Sequence, residues 1–303
     1  MTLIDEIQRL KREKKAIILA HNYQLPEIQD IADYVGDSIE LSRRAKEEQD
    51  AKIILFAAVD FMAESAAILN PEKKVLLPCI GSRCSMAQML PAEQLRMWKQ
   101  RYSNIPVVLY VNTLAEAKAE CDVCCTSANA IKVVEALDAE TVIFGPDQNL
   151  AEYVQEKTGK TVIPIPPQGF CPTHILFMKE DIQAQKRIHP DAVVAVHPEC
   201  SKEVRDFADF VGSTSQICRY ANASSAKAFL IGTEVGILHK LRRENPSRQF
   251  FPAYGRAVCN AMKLNTLERL YRSLKEEQIV ITVQKDIAEK ARNSLEKMFE
   301  LAE

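Results

Sequence analysis

Thr161-Val162-Ile163-Pro164-Ile165, followed by Pro166-Pro167-Gln168-Gly169-Phe170-Cys171-Pro172-Thr173-His174, reads as a buried strand emptying into a Gly/Pro-rich loop that carries a cysteine. Such a loop is surface-prone and rich in backbone polar groups, so it is poor core material. The same succession occurs twice more. Val75-Leu76-Leu77-Pro78 leads to Cys84, and Phe250-Phe251-Pro252 leads to Cys259. The intervals are 87 residues from Cys84 to Cys171 and 88 from Cys171 to Cys259, the mark of an internal repeat.

Other landmarks keep this register. Asp60, Asp147 and Glu234, each just after a predicted central strand, are 87 and 87 residues apart. Each unit opens on an apolar run: Ala16 to Ala20, Val107 to Val111, and Val193 to Val196. From His21 to Ser38, Val111 to Ser127 and His197 to Thr214 the chain runs 17, 16 and 17 residues. Central strands follow at Ile53 to Phe56, Thr141 to Phe144 and Ala228 to Ile231. Short all-apolar strands alternating with helices predict small parallel sheets covered on both faces. The expected fold is α/β: three similar three-layer domains around a pseudo-threefold axis, with the active site at the centre. The expected boundaries are 1–86 plus C-terminal helices 263–303, then 87–173, then 174–262. Tail helices around Leu264 to Leu274 and Ile287 to Leu301, with a possible strand Ile279 to Val283, should pack back on the first unit.

The 303 residues are 47% apolar, enough for a sizeable core, and the net charge of −2 gives no electrostatic case for nucleic acid or an anionic membrane. No apolar run reaches membrane-span length, and Met1 to Glu13 reads as a charged amphipathic helix without a signal-peptide core. A cytoplasmic protein is expected, and there nine cysteines point to thiols or metal ligands rather than a disulfide framework.

Ligands in doubly wound sheets bind beyond the carboxyl ends of the strands. His21, Asn22 and Tyr23, Tyr110 and Asn112, His197 and Glu199, and Cys84, Cys171 and Cys259 all fall at such ends. Three thiolates, one per unit, suit a zinc ion with one further ligand, or an iron–sulfur cubane with one iron free of protein. A free iron can bind substrate oxygen as a Lewis acid. Cys121-Asp122-Val123-Cys124-Cys125 is a rival C-x2-C cluster, but it has no second pair and is read as buried thiols; Cys200 and Cys218 are read as packing. Cys79 competes with Cys84, which keeps the interval. Ser38, Ser127 and Thr214 fall where helices begin. There a hydroxyl can serve as an N-cap, and the free N–H groups can also hold an anion. Glu199 beside His197 is a candidate general acid/base, and His174 a candidate neighbour of the cysteine site.

The residues also resemble quinolinate synthases. The resemblance is carried by Ile18-Leu19-Ala20-His21-Asn22-Tyr23-Gln24, Val35-Gly36-Asp37-Ser38, Val59-Asp60-Phe61-Met62-Ala63-Glu64, Leu109-Tyr110-Val111-Asn112, Thr126-Ser127-Ala128-Asn129-Ala130 and His197-Pro198-Glu199-Cys200. It implies a [4Fe-4S] cluster on Cys84, Cys171 and Cys259. It also implies substrate contacts at His21, Ser38, Tyr110, Val111, Asn112, Ser127, His197, Pro198, Glu199 and Thr214. Tyr23 matches an active-site tyrosine, and Glu199, Tyr23, His21 and His197 are the expected catalytic group. The implied reaction joins iminosuccinate to dihydroxyacetone phosphate, and the enzyme supplying iminosuccinate is an expected partner. Some members carry C-x2-C-x2-C at the last ligand; here Cys259 stands alone. Two other readings use the same residues: an aconitase-like hydro-lyase, and an iron–sulfur or zinc sensor without turnover.

Overall fold

The computed structural model describes residues 2–301. Among the described residues twelve strands form three sheets. The first holds β1 (Ala16–His21), β2 (Tyr34–Gly36), β3 (Ile53–Ala57) and β4 (Lys74–Leu76). The second holds β5 (Val107–Tyr110), β6 (Val123–Cys125), β7 (Thr141–Gly145) and β8 (Thr161–Pro164). The third holds β9 (Val193–Val196), β10 (Phe210–Val211), β11 (Ala228–Gly232) and β12 (Gln249–Pro252). Every sheet has the same order, second–first–third–fourth strand, and every pairing is parallel. The fold is α/β with three similar parallel sheets, as the repeat predicts. Helices cover the faces, and the central strands are almost wholly apolar; Phe56, Phe144 and Phe229, one per central strand, are fully buried.

Each sheet has a short first-edge strand. The sequence gives little sign of β2 or β10. With three and two residues, paired on one side only, these strands have no periodicity to read. Aspartates fix them instead. Asp33 Oδ2 accepts from Ile18 N, Asp122 Oδ2 from Val107 N and Asp209 Oδ2 from Val194 N, at 2.7, 2.7 and 2.8 Å. The backbone N–H of each aspartate donates back to the carbonyl of the same residue. The carboxylate thus ties the start of the edge strand to the first strand of its sheet.

The tail also differs from expectation. Ile279–Val283 forms no strand; Val280 makes an isolated antiparallel bridge to Leu76 at the edge of the first sheet. Helix Leu267–Glu276 packs on helix Leu3–Glu13, on the first unit as expected. Helix Lys285–Glu300 instead lies against β6 and against helices Ala115–Lys118 and Asp60–Leu69. Its buried Ala291, Leu295 and Met298 complete a hydrophobic core shared by the first two sheets.

The cysteine loop after β8 is closely packed. A Cβ on Gly169 would stand 1.8 Å from the carbonyl oxygen of Pro146, a backbone atom that cannot turn aside. Gly169→Ala is therefore expected to destabilise the protein by about 3 kcal/mol, the upper end for overpacking. Urea unfolding checks this, and an unchanged midpoint would contradict it.

Candidate active site

The segments beyond β1, β5 and β9 line one cavity of about 420 Å³, together with Cys84, Cys171 and Cys259. That volume suits a small polar metabolite. Cys84, Cys171 and Cys259 are half-buried, whereas Cys124, Cys125, Cys200 and Cys218 are buried elsewhere. Cys121 Sγ lies 3.9 Å from Cys124 Sγ, outside this cavity. Cys79 does not line it either.

Burial raises all three cavity thiols, Cys84 to about 12, and the backbone amides of Ala87, His174 and Met262 pull them partly back. Cys171 is raised further by Glu199 and by the other two thiols. Thiols that feel one another's charge are suited to a cationic centre, which displaces their protons. Cys171, His174 and Glu199 also offer ligand atoms within 4.8 Å of one another, a group able to hold a metal ion.

Two turns present histidines in the same way. His21 Nδ1 accepts from Tyr23 N at 3.2 Å, and His197 Nδ1 accepts from Glu199 N at 3.3 Å. With Nδ1 an acceptor, the neutral ring carries its proton on Nε2. His197 Nε2 lies 3.2 Å from Ser127 Oγ. Burial lowers both histidines to about 3, and the charges of Lys263 on His21 and of His174 on both act in the same direction. They are uncharged at neutral pH.

Glu199 is buried at the end of a line of polar groups. Tyr110 Oη donates to Oε1 at 2.5 Å, and His174 Nδ1 lies 2.7 Å from Oε2. His174 Nε2 is 2.8 Å from Thr233 Oγ1, which is 2.5 Å from Tyr23 Oη. Burial pushes the carboxyl pKa up, but His174, His197 and the Tyr110 hydrogen bond outweigh it and hold Glu199 well below the usual range. Tyr23 and Tyr110 are raised well above theirs, by burial first and then by the charge of Glu199.

The helix-start hydroxyls are not caps. Asp37 caps Ser38–Glu47 and Ser213 caps Thr214–Ala223, each in a capping box. Asn129, not Ser127, occupies the N-cap position of Ala130–Glu135. Ser38, Ser127 and Thr214 instead line the cavity. Thr214 Oγ1 accepts from Asn22 Nδ2 at 2.9 Å. Asn112 lines the cavity too, and its buried Oδ1 has no hydrogen-bond partner among the described residues, which leaves an acceptor for a ligand. Val111 and Pro198 are buried in the strand-end turns and do not line the cavity. Sequence reasoning missed Thr233 and gave His174 only a neighbouring role.

These histidines set a pH dependence. Their folded pKa values lie below the unfolded value near 6.5, so acid protonates the unfolded chain first and stability is lost as pH falls below 6.5. Each histidine is expected to remove about 2 kcal/mol between pH 6.5 and 5. Glu199, depressed as a carboxylate, adds a loss only below about pH 4.5. Urea unfolding at pH 7 and 5 measures the slope; His21→Asn and His197→Asn should flatten it, and equal wild-type stability at both would contradict it.

Residues 5–300 match the family described as quinolinate synthetase A protein. The chain is 52% identical over 299 residues to the quinolinate synthase of Thermotoga maritima, covering 99% of both chains. It is 50% identical over 302 residues to that of Pyrococcus abyssi, covering all of both. It is 51% identical over 298 residues to that of Methanothermobacter thermautotrophicus, covering 98% of both. Identity at this level over the whole length, with the three-sheet fold above, places the chain in a family: it belongs to the quinolinate synthetase A proteins.

Proposed function

We propose that the protein is an enzyme of NAD biosynthesis that condenses iminosuccinate with dihydroxyacetone phosphate. The products are quinolinate, phosphate and two waters. One observation carries the reading: a thiol from each repeat shares one cavity with Tyr23, His174, Glu199 and Tyr110, and Thr233 behind the wall links Tyr23 to His174.

Cys84, Cys171 and Cys259 would hold a [4Fe-4S] group by three of its irons. The donor set fits: three half-buried thiols and, among the described residues, no fourth cysteine lining the cavity. When bound, that group supplies a Lewis acid at the iron that lacks a protein ligand. The chain's own residues do the rest. Ser38 and Thr214, relieved of capping, stand at helix N-termini where free N–H groups favour carboxylate or phosphate oxygens. Ser127 and Asn112 complete the polar wall. His21 and His197 present neutral Nε2–H donors, which polarise a carbonyl or imine without adding charge. Glu199 is ionised and takes protons, and Tyr23, kept protonated by burial, stands at the far end of the line that passes them to it.

The three repeats would divide at 1–86 with 263–303, 87–173 and 174–262. The enzyme that makes iminosuccinate would be a metabolic partner. A cytoplasmic site of action accords with the absence, among the described residues, of any helix long and apolar enough to cross a membrane.

The test is turnover by anaerobically reconstituted protein. Iminosuccinate generated in place, with dihydroxyacetone phosphate, should give quinolinate and phosphate one to one. Brown protein that forms no quinolinate, or colourless protein holding only zinc after strictly anaerobic work, would sink the proposal.

A further inference from the structure

Each cysteine of the trio sits in a turn fastened twice. The backbone N–H of Cys84 donates to Asp60 Oδ1 at 3.0 Å, that of Cys171 to Asp147 Oδ2 at 3.0 Å, and that of Cys259 to Glu234 Oε1 at 3.1 Å. Carboxylate and cysteine are separated by 24, 24 and 25 residues. Two residues before each cysteine a carbonyl is taken as well. Ser82 O accepts from Asp60 N, Gly169 O from Gln148 N and Ala257 O from Val235 N, at 2.8, 2.8 and 3.1 Å. The start of the helix after each central strand therefore grips the cysteine loop by both a carbonyl and an N–H.

Helix capping does not account for the carboxylates. Asp147 caps its helix through Oδ1, which accepts from Leu150 N at 2.7 Å, and gives its other oxygen to Cys171. Glu234 accepts from Gly236 N through Oε2 at 2.7 Å and gives Oε1 to Cys259. Asp60 Oδ1 takes both Phe61 N and Cys84 N. Both Asp147 and Glu234 are fully buried, so an unsatisfied oxygen or amide here is costly. Glu234 is also paired with Lys263, whose Nζ donates to the carbonyl of Tyr23, joining the third turn to the tyrosine turn.

We propose that Asp60, Asp147 and Glu234 are positioning residues for the three thiols. Each fixes the amide of its cysteine, so that the sulfur faces the cavity before any metal arrives and the bound group is retained. The proposal rests on reading Cys84, Cys171 and Cys259 as the ligands of that group. Groups that orient metal ligands are commonly worth ten- to a hundredfold in affinity.

Asp147→Asn and Glu234→Gln test it in the full chain. Both oxygens of each carboxylate accept from a backbone N–H, and an amide can accept with only one of its two atoms. In metal-free protein, alkylation by iodoacetamide is followed cysteine by cysteine with peptide mass spectrometry. Asp147→Asn should speed modification of Cys171 alone, and Glu234→Gln that of Cys259 alone. After anaerobic reconstitution, each variant should lose iron to a chelator roughly tenfold faster than wild type. If one variant fails to fold, the other decides. Wild-type iron loss and wild-type alkylation in a folded variant would overturn the proposal, as would an equal rise at all three cysteines. Wild-type protein that takes up no iron and sulfide would instead remove the ligand reading, and the alkylation pattern would still decide whether the carboxylates position the thiols.

Discussion

Cys171→Ser is expected to yield a folded protein that holds no four-iron group and forms no quinolinate above background. The side chain stands half-buried in a loop at the cavity wall, at the margin of the hydrophobic core, so the near-isosteric change costs the core little. What it alters is the donor atom. Iron–sulfur clusters are held by soft thiolates, and a hydroxyl is a hard, poorly ionised substitute. Iron and sulfide per chain should fall from about four each to a small residue, while the urea midpoint stays near wild type. Cys125→Ser gives the opposite pattern. Cys125 is fully buried in β6, away from the cavity, and a hydroxyl there has to be desolvated. That variant should lose about 1–3 kcal/mol of stability yet keep its iron. Four irons retained in Cys171→Ser would remove Cys171 from the ligand set.

The difference between these two cysteines was legible in the sequence because each unit repeats strand, loop and cysteine at nearly constant interval. The same logic hid other residues. Thr233 stands immediately before Glu234, and its counterparts before Asp60 and Asp147 are Val59 and Pro146. His174 lies three residues after Cys171, where the other loops carry Ala87 and Met262. A threefold scaffold announces what is repeated, whereas the line ending at Glu199 is built from positions used once. Asp33, Asp122 and Asp209 are repeated, but their signal is one acidic residue before a two- or three-residue strand, too short for a hydrophobic period. The capping of the cavity helices turned on a shift of one residue, from Ser38 to Asp37 and from Thr214 to Ser213, finer than helix starts are fixed by pattern alone.

Glu199→Gln should reduce kcat roughly a thousandfold, within the range for loss of a positioned acid/base group, with iron content unchanged. The direction of the hydrogen bonds gives the reason. Ionised Glu199 can only accept, and its Oε2 lies 2.7 Å from His174 Nδ1; with the ring neutral and its proton on Nδ1, Nε2 accepts from Thr233, which in turn accepts from Tyr23. Every bond then points from Tyr23 toward Glu199, and a proton can pass along the line. A glutamine keeps the shape and can still accept from Tyr110 through its oxygen. Its Nε2 then faces His174 Nδ1 and must donate to it. The ring is forced into the other tautomer, donating from Nε2 to Thr233, and the line is reversed. Under the proposed function substrate would be gripped elsewhere, at the cavity-lining Ser38, Asn112 and Thr214, so KM should move far less than kcat. Thr233→Val should break the same line and Thr233→Ser restore most of the rate, a pair that separates lost proton passage from lost packing. Full turnover by Glu199→Gln with its iron intact would take Glu199 out of proton transfer and leave it only the task of holding Tyr110 and His174 in place.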